Sequence, residues 1–247
     1  MRKHDYIAVV TGGGSGIGQA LAWILAQNNY CVYIVGRHKD KLQTTCAKYP
    51  ELIFPIEADV GNSTGINHIA DQLKAAGPIS FLVHNAAIET PIAGVVEVRQ
   101  EEWRYTQSVN VEGPFFLTQK LIQQKQLAPN ARILFVSSMV DSFAITGASA
   151  YCVSKAGLYM VYLTMKLELA GSGLHFGYAT PGIVDTNMQD RLRHYTHSDY
   201  FDASVYQNFK NEGSLTSAAQ SAQFMANLLL NTNDAEFSKQ RWDYSVE

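Results

Sequence analysis

Three side chains, a tyrosine, a lysine and a serine, are spaced so that they could carry out acid/base chemistry together. Tyr151 and Lys155 are four residues apart in a segment of helical character, which puts the phenol and the ammonium on one face of a helix. Ser138 follows an apolar run, thirteen residues before Tyr151. A tyrosine whose pKa is lowered from about 10 by an ammonium can deliver a proton to an oxygen of a small molecule. The trio predicts proton transfer, although a tyrosine and lysine at this spacing also occur by chance.

Asn110 carries a separate indication, because Pro114 follows it by four residues in the same helical segment. Proline has no N–H group, so the carbonyl of Asn110 loses its helical partner and the helix should kink there. A buried water would satisfy the freed carbonyl and could pass protons towards Lys155. The alternative is an ordinary kink beside Gly113 with no catalytic meaning.

A glycine-rich turn, T-G-G-G-S-G-I-G at residues 11–18, directly follows the first apolar run and opens a helical segment. Glycines allow a tight turn and let backbone N–H groups approach a diphosphate, and the helix N-terminus adds roughly half a positive charge. The spacing Gly12-x-x-x-Gly16-x-Gly18 differs from the commoner G-x-G-x-x-G pattern. We predict a dinucleotide site here, with a merely flexible turn as the alternative.

Residues at the ends of the next apolar runs indicate which dinucleotide is bound. NAD-binding proteins tend to place an acidic residue after the second strand, but this chain has Arg37, which could make a bidentate contact with a 2′-phosphate. The sequence therefore favours NADP(H) over NAD(H), unless Arg37 only solvates the start of a helix. Asp59-Val60 could hold the adenine amino group, and Asn85-Ala86 follows the fourth run at the same edge of a sheet.

Short apolar runs alternate with longer helical segments, which is typical of βαβ units with a parallel sheet. We predict strands near Tyr6–Val10, Cys31–Val35, Leu52–Ile56, Ile79–His84, Arg132–Ser137, Leu174–Ala179 and Arg241–Val246. We predict helices near Gly16–Gln27, Lys39–Lys48, Ile66–Ala75, Trp103–Gln124, Ala150–Leu169 and Thr216–Leu230. No linker or repeat interrupts the pattern. The expected fold is a single α/β domain over residues 1–247, with a mostly or wholly parallel, doubly wound sheet of about seven strands and helices on both faces.

The segment Asn187–Gly213 is the one irregular region, rich in His, Tyr, Phe and Asp. A loop this long in a compact domain usually forms a lid or a binding segment. The alternative is a surface helical excursion. Eight side chains from this segment and from the stretch after Ser138 could line an apolar substrate pocket, with core packing as the alternative for each: Met139, Val140, Phe143, Ile145, Met188, Tyr195, Tyr200 and Phe201.

Composition narrows the classes of function. Hydrophobic residues make up 47% and charged residues 17% of the 247, which excludes intrinsic disorder. A net charge of −3 argues against nucleic acid or an anionic membrane as the main partner, because both require clustered positive charge. The three cysteines form no C-x-x-C pair, so we expect a reducing compartment, the cytoplasm, and no metal site. The first apolar run predicts a strand rather than a signal peptide.

In order and spacing, these motifs resemble the short, single-domain branch of the short-chain dehydrogenase/reductase family over essentially the full chain. The resemblance implies a Rossmann-type fold and an oxidoreductase that reduces a ketone or diketone to an alcohol. It implies that Tyr151 is the acid/base, that Ser138 orients the carbonyl and that Asn110 holds a relay water. Lys155 would bind the nicotinamide ribose and tune Tyr151.

The same resemblance implies an extended cofactor site with NADP(H) as its ligand, in which the stretch from Pro181 to Thr186 embraces the nicotinamide. The implied cofactor-binding residues are Gly12, Gly14, Ser15, Gly16, Ile17, Gly18, Arg37, Asp59, Val60, Asn85, Ala86, Lys155, Pro181, Gly182, Ile183 and Thr186. The segments Val35–Arg37 and Asn85–Glu89 are also faintly similar to sepiapterin- and benzil-reductase-type carbonyl reductases. A small-molecule substrate and a homo-oligomer are also implied. Residues 237–244 lack the Gly-rich ending of many tetrameric members, so a dimer through the two long helices near Asn110 and Tyr151 is favoured and a tetramer is the alternative.

Three other functions are open at this point. The chain could be a catalytically silent dinucleotide-binding or redox-sensing module, although the intact Ser138, Tyr151 and Lys155 argue against that. It could be an NAD-dependent alcohol dehydrogenase. An S-adenosylmethionine methyltransferase also uses a Gly-rich first turn, but has no need for Tyr151 and Lys155.

Overall fold

One parallel sheet organises the computed structural model, which describes residues 6–195 and 202–244. The strands in chain order are β1 (Ile7–Thr11), β2 (Cys31–Gly36), β3 (Ile53–Glu57), β4 (Ile79–His84), β5 (Leu127–Val136), β6 (His175–Thr180), β7 (Val184–Asp185), β8 (Thr216–Ser217) and β9 (Arg241–Asp243). Within the described residues, seven of them pair in the order β3-β2-β1-β4-β5-β6-β9, all parallel. The short strands β7 and β8 pair separately.

Helices connect these strands and cover the sheet. They are α1 (Gly16–Gln27), α2 (Lys39–Cys46), α3 (Ser63–Leu73), α4 (Gln100–Gln107), α5 (Gly113–Gln123), α6 (Ser149–Glu168), α7 (Asn187–Arg193), α8 (Ala203–Asn211), α9 (Ala218–Asn231) and α10 (Asp234–Phe237). A π-helical segment, Ser108–Glu112, joins α4 to α5, and a 3₁₀ turn, Met139–Asp141, follows β5.

Both faces of the sheet are buried, as the continuous apolar runs of the strands require. In β1, Ile7 and Val9 belong to one hydrophobic core, while Ala8 and Val10 belong to the other. Parallel sheets need helices on both faces for this reason. The predicted doubly wound α/β fold is therefore confirmed.

The strand order reverses beside β1, which pairs with β2 on one side and with β4 on the other. Ligands of open α/β sheets bind outside the carboxyl ends of the strands at such a switch point. Side chains fix the geometry there, since the Thr11 hydroxyl accepts the N–H of Asn85 at 3.0 Å and the Asn85 amide donates to the Thr11 carbonyl at 2.9 Å.

Some predicted boundaries differ from the structure. The predicted helix Trp103–Gln124 is divided into α4, the π-helical segment and α5, so the predicted kink is a π-helical interruption. Strand β5 begins at Leu127, earlier than predicted, with a register shift against β4 between Ile79 and Phe81. The segment Asn187–Gly213 was predicted as irregular, but it contains α7 and α8. Residues 245 and 246 of the last predicted strand lie outside the described residues.

Candidate active site

The glycine turn has the shape that a phosphate cradle requires. Gly12 and Gly16 have φ angles of +70° and +56°, which a residue with a Cβ adopts only under strain. A Cβ on Gly12 would also lie 2.8 Å from Nδ2 of Asn85, so the turn depends on close approach to the segment after β4. Ser15 is the N-cap of α1, and its side chain makes no capping hydrogen bond. The turn therefore fits an anionic group held by backbone N–H groups.

A cleft of about 310 Å³ runs over the carboxyl edge of the sheet beside this turn. Most of the predicted cofactor residues line it, including Gly12, Gly14, Ser15, Gly16, Ile17, Arg37, Asp59, Val60, Asn85, Ala86, Lys155, Pro181 and Thr186. Three predicted cofactor residues do not. Gly18 is buried against the backbone of Gly12, and Gly182 and Ile183 line the neighbouring cavity instead.

At the end of the cleft beside β2, hydrogen bonds link a chain of side chains that the sequence did not reveal. Arg37 donates a hydrogen bond to the Tyr105 hydroxyl, which in turn donates to Oδ2 of Asp59 at 2.9 Å. The other carboxylate oxygen of Asp59 accepts the N–H of Gly61 at 2.8 Å. Lys41, four residues after Arg37, also lines the cleft. An (i, i+4) pair of cations at the start of α2 is the sequence signal that would have located Lys41.

Helix α6 and the end of β5 bring three of the four predicted catalytic residues together, namely Ser138, Tyr151 and Lys155. Tyr151 lines both the cleft and the neighbouring cavity, so it lies where the two spaces meet. Lys155, only 3% exposed, lies on the same face of α6, with Nζ 5.7 Å from the centre of the Tyr151 ring. Its ammonium donates to the carbonyl oxygen of Val136, the last residue of β5, at 3.1 Å. Ser138 lines the same cavity as Tyr151, and its side chain lies close enough to the phenol to act on the Tyr151 pKa.

The electrostatics of this group differ from the sequence-based expectation. Burial raises the pKa of Tyr151 above its usual value of 10, and the nearby side chain of Ser138 opposes that rise. The predicted lowering of the Tyr151 pKa by Lys155 is therefore wrong for the protein alone. Burial also lowers the pKa of Lys155 from 10.5 to about 8, while the carboxylate of Asp141 raises it. Tyr151 is thus a neutral phenol, able to donate a proton.

Asn110 lies inside the π-helical segment, and its side chain is fully engaged. Its Nδ2 donates to the carbonyl of Ile88 at 2.8 Å and to the Ser154 hydroxyl at 2.9 Å, and its Oδ1 accepts the N–H of Ile88 at 2.9 Å. Ser154 donates to the carbonyl of Tyr151 at 2.7 Å. Asn110 therefore fixes the segment after β4 and helix α6 relative to each other, a role that the sequence did not suggest.

A second cavity, of about 540 Å³, adjoins the cleft on the other side of Tyr151. It is walled mainly by apolar side chains, which include all of the predicted Met139, Val140, Phe143, Ile145 and Met188. Helices α7 and α8 add further wall residues that the sequence analysis missed, namely Leu192, Val205, Tyr206 and Phe209. Tyr195 is not among the wall residues and instead donates to the carbonyl of Ile92. Tyr200 and Phe201 lie outside the described residues.

A buried carboxylate, that of Glu89, lies in the same wall and was also missed. Its charge acts on Tyr151 by raising the pKa of the phenol.

In the described part of the chain, no group of three or more His, Cys, Asp or Glu side chains is arranged to hold a metal ion. No helix among residues 6–195 and 202–244 is long and apolar enough to cross a membrane.

Comparison with known proteins identifies the family. Residues 6–196 match the family described as short chain dehydrogenase. A 3-oxoacyl-(acyl-carrier-protein) reductase of Thermotoga maritima is 30% identical over 196 residues, which cover 78% of this chain and 79% of that protein. A nodulation protein G of Rhizobium meliloti is 27% identical over 188 residues, 76% of each chain.

Solved structures support the same fold. A short chain dehydrogenase/reductase from Saccharomyces cerevisiae has a TM-score of 0.87 at 24% identity, covering 98% of this chain and 96% of the other. A short chain dehydrogenase from Burkholderia cenocepacia in complex with NADP has a TM-score of 0.80 at 22% identity, covering 99% and 98%.

The chain therefore belongs to the short-chain dehydrogenase/reductase family, as its motifs predicted. It is an oxidoreductase with an NAD(P)-binding fold. Membership of this family excludes the methyltransferase alternative. Family membership by itself does not fix the cofactor preference or the substrate.

Proposed function

We propose that this protein is an NADP(H)-dependent reductase that converts a ketone or diketone to an alcohol, with Tyr151 as the general acid. The observation that carries the proposal is the place of Tyr151, between a cleft that begins at the glycine turn and an apolar cavity that also holds Ser138. A carbonyl group in the cavity can thus reach the phenol while a dinucleotide occupies the cleft. Proton delivery at this junction is what carbonyl reduction requires.

The protein's own groups have distinct roles in the proposed reaction. The cleft residues would hold NADPH, which would supply the hydride for the carbonyl carbon when bound. Tyr151 gives its phenolic proton to the carbonyl oxygen, Ser138 orients that oxygen by a hydrogen bond, and Lys155 binds the nicotinamide ribose. Because the Asn110 side chain is already bonded to Ile88 and Ser154, its predicted relay water would be held by the main-chain carbonyl.

The cofactor residues proposed for NADP(H) are those of the turn and cleft, with Arg37 as the ligand of the 2′-phosphate. Arg37 lies at the end of β2, and its cationic group carries the preference for NADP(H) over NAD(H). Gly18 contributes by allowing close packing behind the turn. Gly182 and Ile183 face the cavity, so their proposed contact is with the nicotinamide end nearest the substrate.

The substrate is proposed to be uncharged, bulky and largely apolar. The cavity of about 540 Å³ is walled by Phe143, Met188, Phe209 and similar side chains, and such walls favour aromatic or aliphatic groups. Residues 187–213 act as the substrate lid in this proposal, since α7 and α8 form one wall. An aromatic ketone or diketone fits these surroundings better than a sugar or a carboxylate.

The decisive experiment replaces the phenol alone. Tyr151→Phe should lose carbonyl reduction by at least about a hundredfold in kcat, the contribution expected of a general acid, while the Kd for NADPH changes little. Tyr159→Phe, on the same helix and outside both spaces, is the matched control and should remain active. Unchanged turnover in Tyr151→Phe, measured by NADPH absorbance with aromatic ketones and diketones, would overturn the mechanism.

If the unmodified chain binds NADPH but reduces none of these compounds, the better interpretation is that it is a catalytically silent dinucleotide-binding module. If it turns over alcohols with NAD⁺ in preference to NADP⁺, the NAD-dependent alcohol dehydrogenase replaces the proposal.

We propose that the protein is a homodimer in the cytoplasm and that it acts on a small molecule rather than on nucleic acid or a membrane. Cys31, Cys46 and Cys152 are all free thiols in the structure, which suits a reducing compartment.

A further inference from the structure

A buried carboxylate closes the turn that carries Ser138. The side chain of Asp141 is 1% exposed, and its Oδ2 accepts hydrogen bonds from the Ser137 hydroxyl at 3.1 Å and the Tyr178 hydroxyl at 2.5 Å. The N–H of Asp141 also donates to the carbonyl of Ser138 at 3.2 Å. Asp141 thus holds the residue before Ser138 by its side chain, and Ser138 itself by its backbone.

The other carboxylate oxygen is held from the far edge of the sheet. Nη1 of Arg241 in β9 donates to Oδ1 of Asp141 at 2.7 Å, and Nη2 of the same guanidinium donates to the Thr180 hydroxyl at 3.2 Å. Exposed Asp243 accepts from Nε of Arg241 at 2.8 Å, on the side away from the turn. The C-terminal strand is therefore tied to the turn by an ion pair whose acidic member is buried.

Lys155 on helix α6 holds the same short stretch. Its ammonium donates to the carbonyl of Val136, so Lys155 and Asp141 fix the backbone just before Ser138 between them. The 3₁₀ turn packs on helix α6, which carries both Lys155 and Tyr151. A change in the position or charge of Asp141 therefore acts on Ser138 and Lys155 together.

We infer that Asp141 is a positioning residue for carbonyl reduction, anchored by Arg241, that fixes the turn bearing Ser138 and places a negative charge beside Lys155. The inference rests on the proposed function, because it assigns Ser138 and Lys155 their roles in that reaction. No motif or spacing in the sequence indicates this role for Asp141.

The charge of Asp141 has a direction of effect that can be measured. Burial lowers the pKa of Lys155 to about 8, and the Asp141 carboxylate counteracts this by stabilising the ammonium. The ionisable groups around the pair in the described structure are Tyr151 on α6, Tyr178 on β6 and Arg241 on β9. Tyr178 is kept neutral, since burial and its bond to Asp141 raise its pKa. The Asp141 carboxylate thus stabilises the protonated form of Lys155 near neutral pH.

Two substitutions separate the positional effect from the electrostatic one. Asp141→Asn keeps the shape but removes the charge, so kcat should fall by about tenfold or more, as misplacement of catalytic groups does, and the pKa of Lys155 should fall. Arg241→Gln frees the carboxylate from its anchor, so kcat should also fall. While the Asp141 carboxylate stays beside Lys155, loss of the neighbouring Arg241 cation should raise the pKa of Lys155 or leave it unchanged. Both variants should therefore lower kcat, but only Asp141→Asn should lower the pKa of Lys155.

The readouts are kcat and KM for an aromatic ketone, the Kd for NADPH, and the pH dependence of Lys155 acetylation by trace acetic anhydride, followed by mass spectrometry. Asp243→Asn is the matched control, because it removes the other carboxylate on Arg241 and should change neither kcat nor the Lys155 pKa. The alkaline limb of the kcat/KM profile should move to lower pH in Asp141→Asn alone.

The outcomes are decisive in each case. A kcat within about twofold of the unmodified chain in Asp141→Asn, or a Lys155 pKa that does not fall, overturns the inference. If the unmodified chain reduces no carbonyl, the proposed function fails, while the acetylation measurement still tests the effect of Asp141 on Lys155. If Asp141→Asn does not fold by circular dichroism, Arg241→Gln alone decides the positioning role, and an unchanged kcat overturns it.

Discussion

The guanidinium of Arg191 on helix α7 donates a hydrogen bond to the buried carboxylate of Glu89, with Nε 2.6 Å from Oε1. Arg191 lines the cofactor cleft and Glu89 lines the apolar cavity, so the ion pair spans the boundary between the two spaces. It also joins helix α7 to the segment after β4. Because the Glu89 carboxylate raises the pKa of Tyr151, we expect this charge pair to influence the proposed proton transfer from the phenol.

Glu89→Gln should lower the pKa of Tyr151, because the Glu89 carboxylate raises it and Arg191 would remain as an uncompensated cation. In the oxidation of an alcohol, Tyr151 must accept a proton, so activity rises with pH through the pKa of the phenol. The rise in kcat/KM with NADP⁺ should therefore begin at lower pH in the variant. Asp190→Asn on the same helix is the control and should keep the original profile. A shift to higher pH would contradict the assigned charge effect.

Lys155 should give both stability and activity a dependence on pH. Its pKa is about 8 in the folded chain and 10.5 when unfolded, so the unfolded chain binds the extra proton between these values. Stability should therefore rise as the pH increases from 8 to 10.5. Below pH 8 both states carry the charge, and this contribution to stability is constant at its lowest value. Urea unfolding of the unmodified chain and of Lys155→Met, compared at pH 7.5 and 9.5, measures the difference.

Activity should change in the opposite direction over the same range. The proposed role of Lys155 needs its ammonium, which is lost as the pH rises through about 8. We expect kcat/KM for NADPH-dependent reduction to fall above that pH while the protein becomes more stable. Activity and stability that rise together above pH 8 would show that the neutral amine is sufficient.

Local patterns predicted much of this molecule, because the relevant residues are close in sequence. The glycine turn and the Tyr151–Lys155 spacing each depend on one strand end or one helix turn. The Glu89–Arg191 pair spans 102 residues and the Asp141–Arg241 pair spans 100, so only the sheet order brings them together. No spacing rule applies to such pairs, and each acid looked like an ordinary polar residue in the sequence.

The missed structure has similar physical causes. Helices α7 and α8 are short and mix charged with apolar residues, so they lack the long apolar periodicity that identifies a helix from sequence. At Asn110, the missing N–H of Pro114 correctly indicated a disturbed helix. The bonds of its side chain to Ile88 and Ser154 depend on tertiary packing, which the kink alone could not indicate.

Arg37 should determine the choice between the two nicotinamide dinucleotides. Arg37→Ala is expected to weaken NADPH binding by roughly tenfold to a hundredfold, the value of a hydrogen bond to a charged group, and to leave NADH binding nearly unchanged. Lys39→Ala is the matched control, because Lys39 is two residues away but does not line the cleft. Arg37→Asp should go further and favour NADH. Isothermal titration with both cofactors measures these changes.

A preference for NADPH that survives Arg37→Asp would exclude Arg37 as the phosphate ligand. Lys41 would then be the next cation to replace, since it lines the same end of the cleft.

Helix α6 carries an apolar stripe that should form the dimer interface. Val153, Met160 and Leu167 are spaced seven residues apart on one face, and all three are exposed, Met160 by 58%. In a twofold-symmetric dimer, the same exposed apolar stripe of each copy would be buried against that of the other. One substitution in the stripe therefore changes the interface at two places. Met160→Glu should therefore convert a particle of two 27.3 kDa chains into one of a single chain, measured by light scattering. Val96→Glu, in an exposed loop, is the control and should stay dimeric. A two-chain mass in Met160→Glu would place the interface elsewhere.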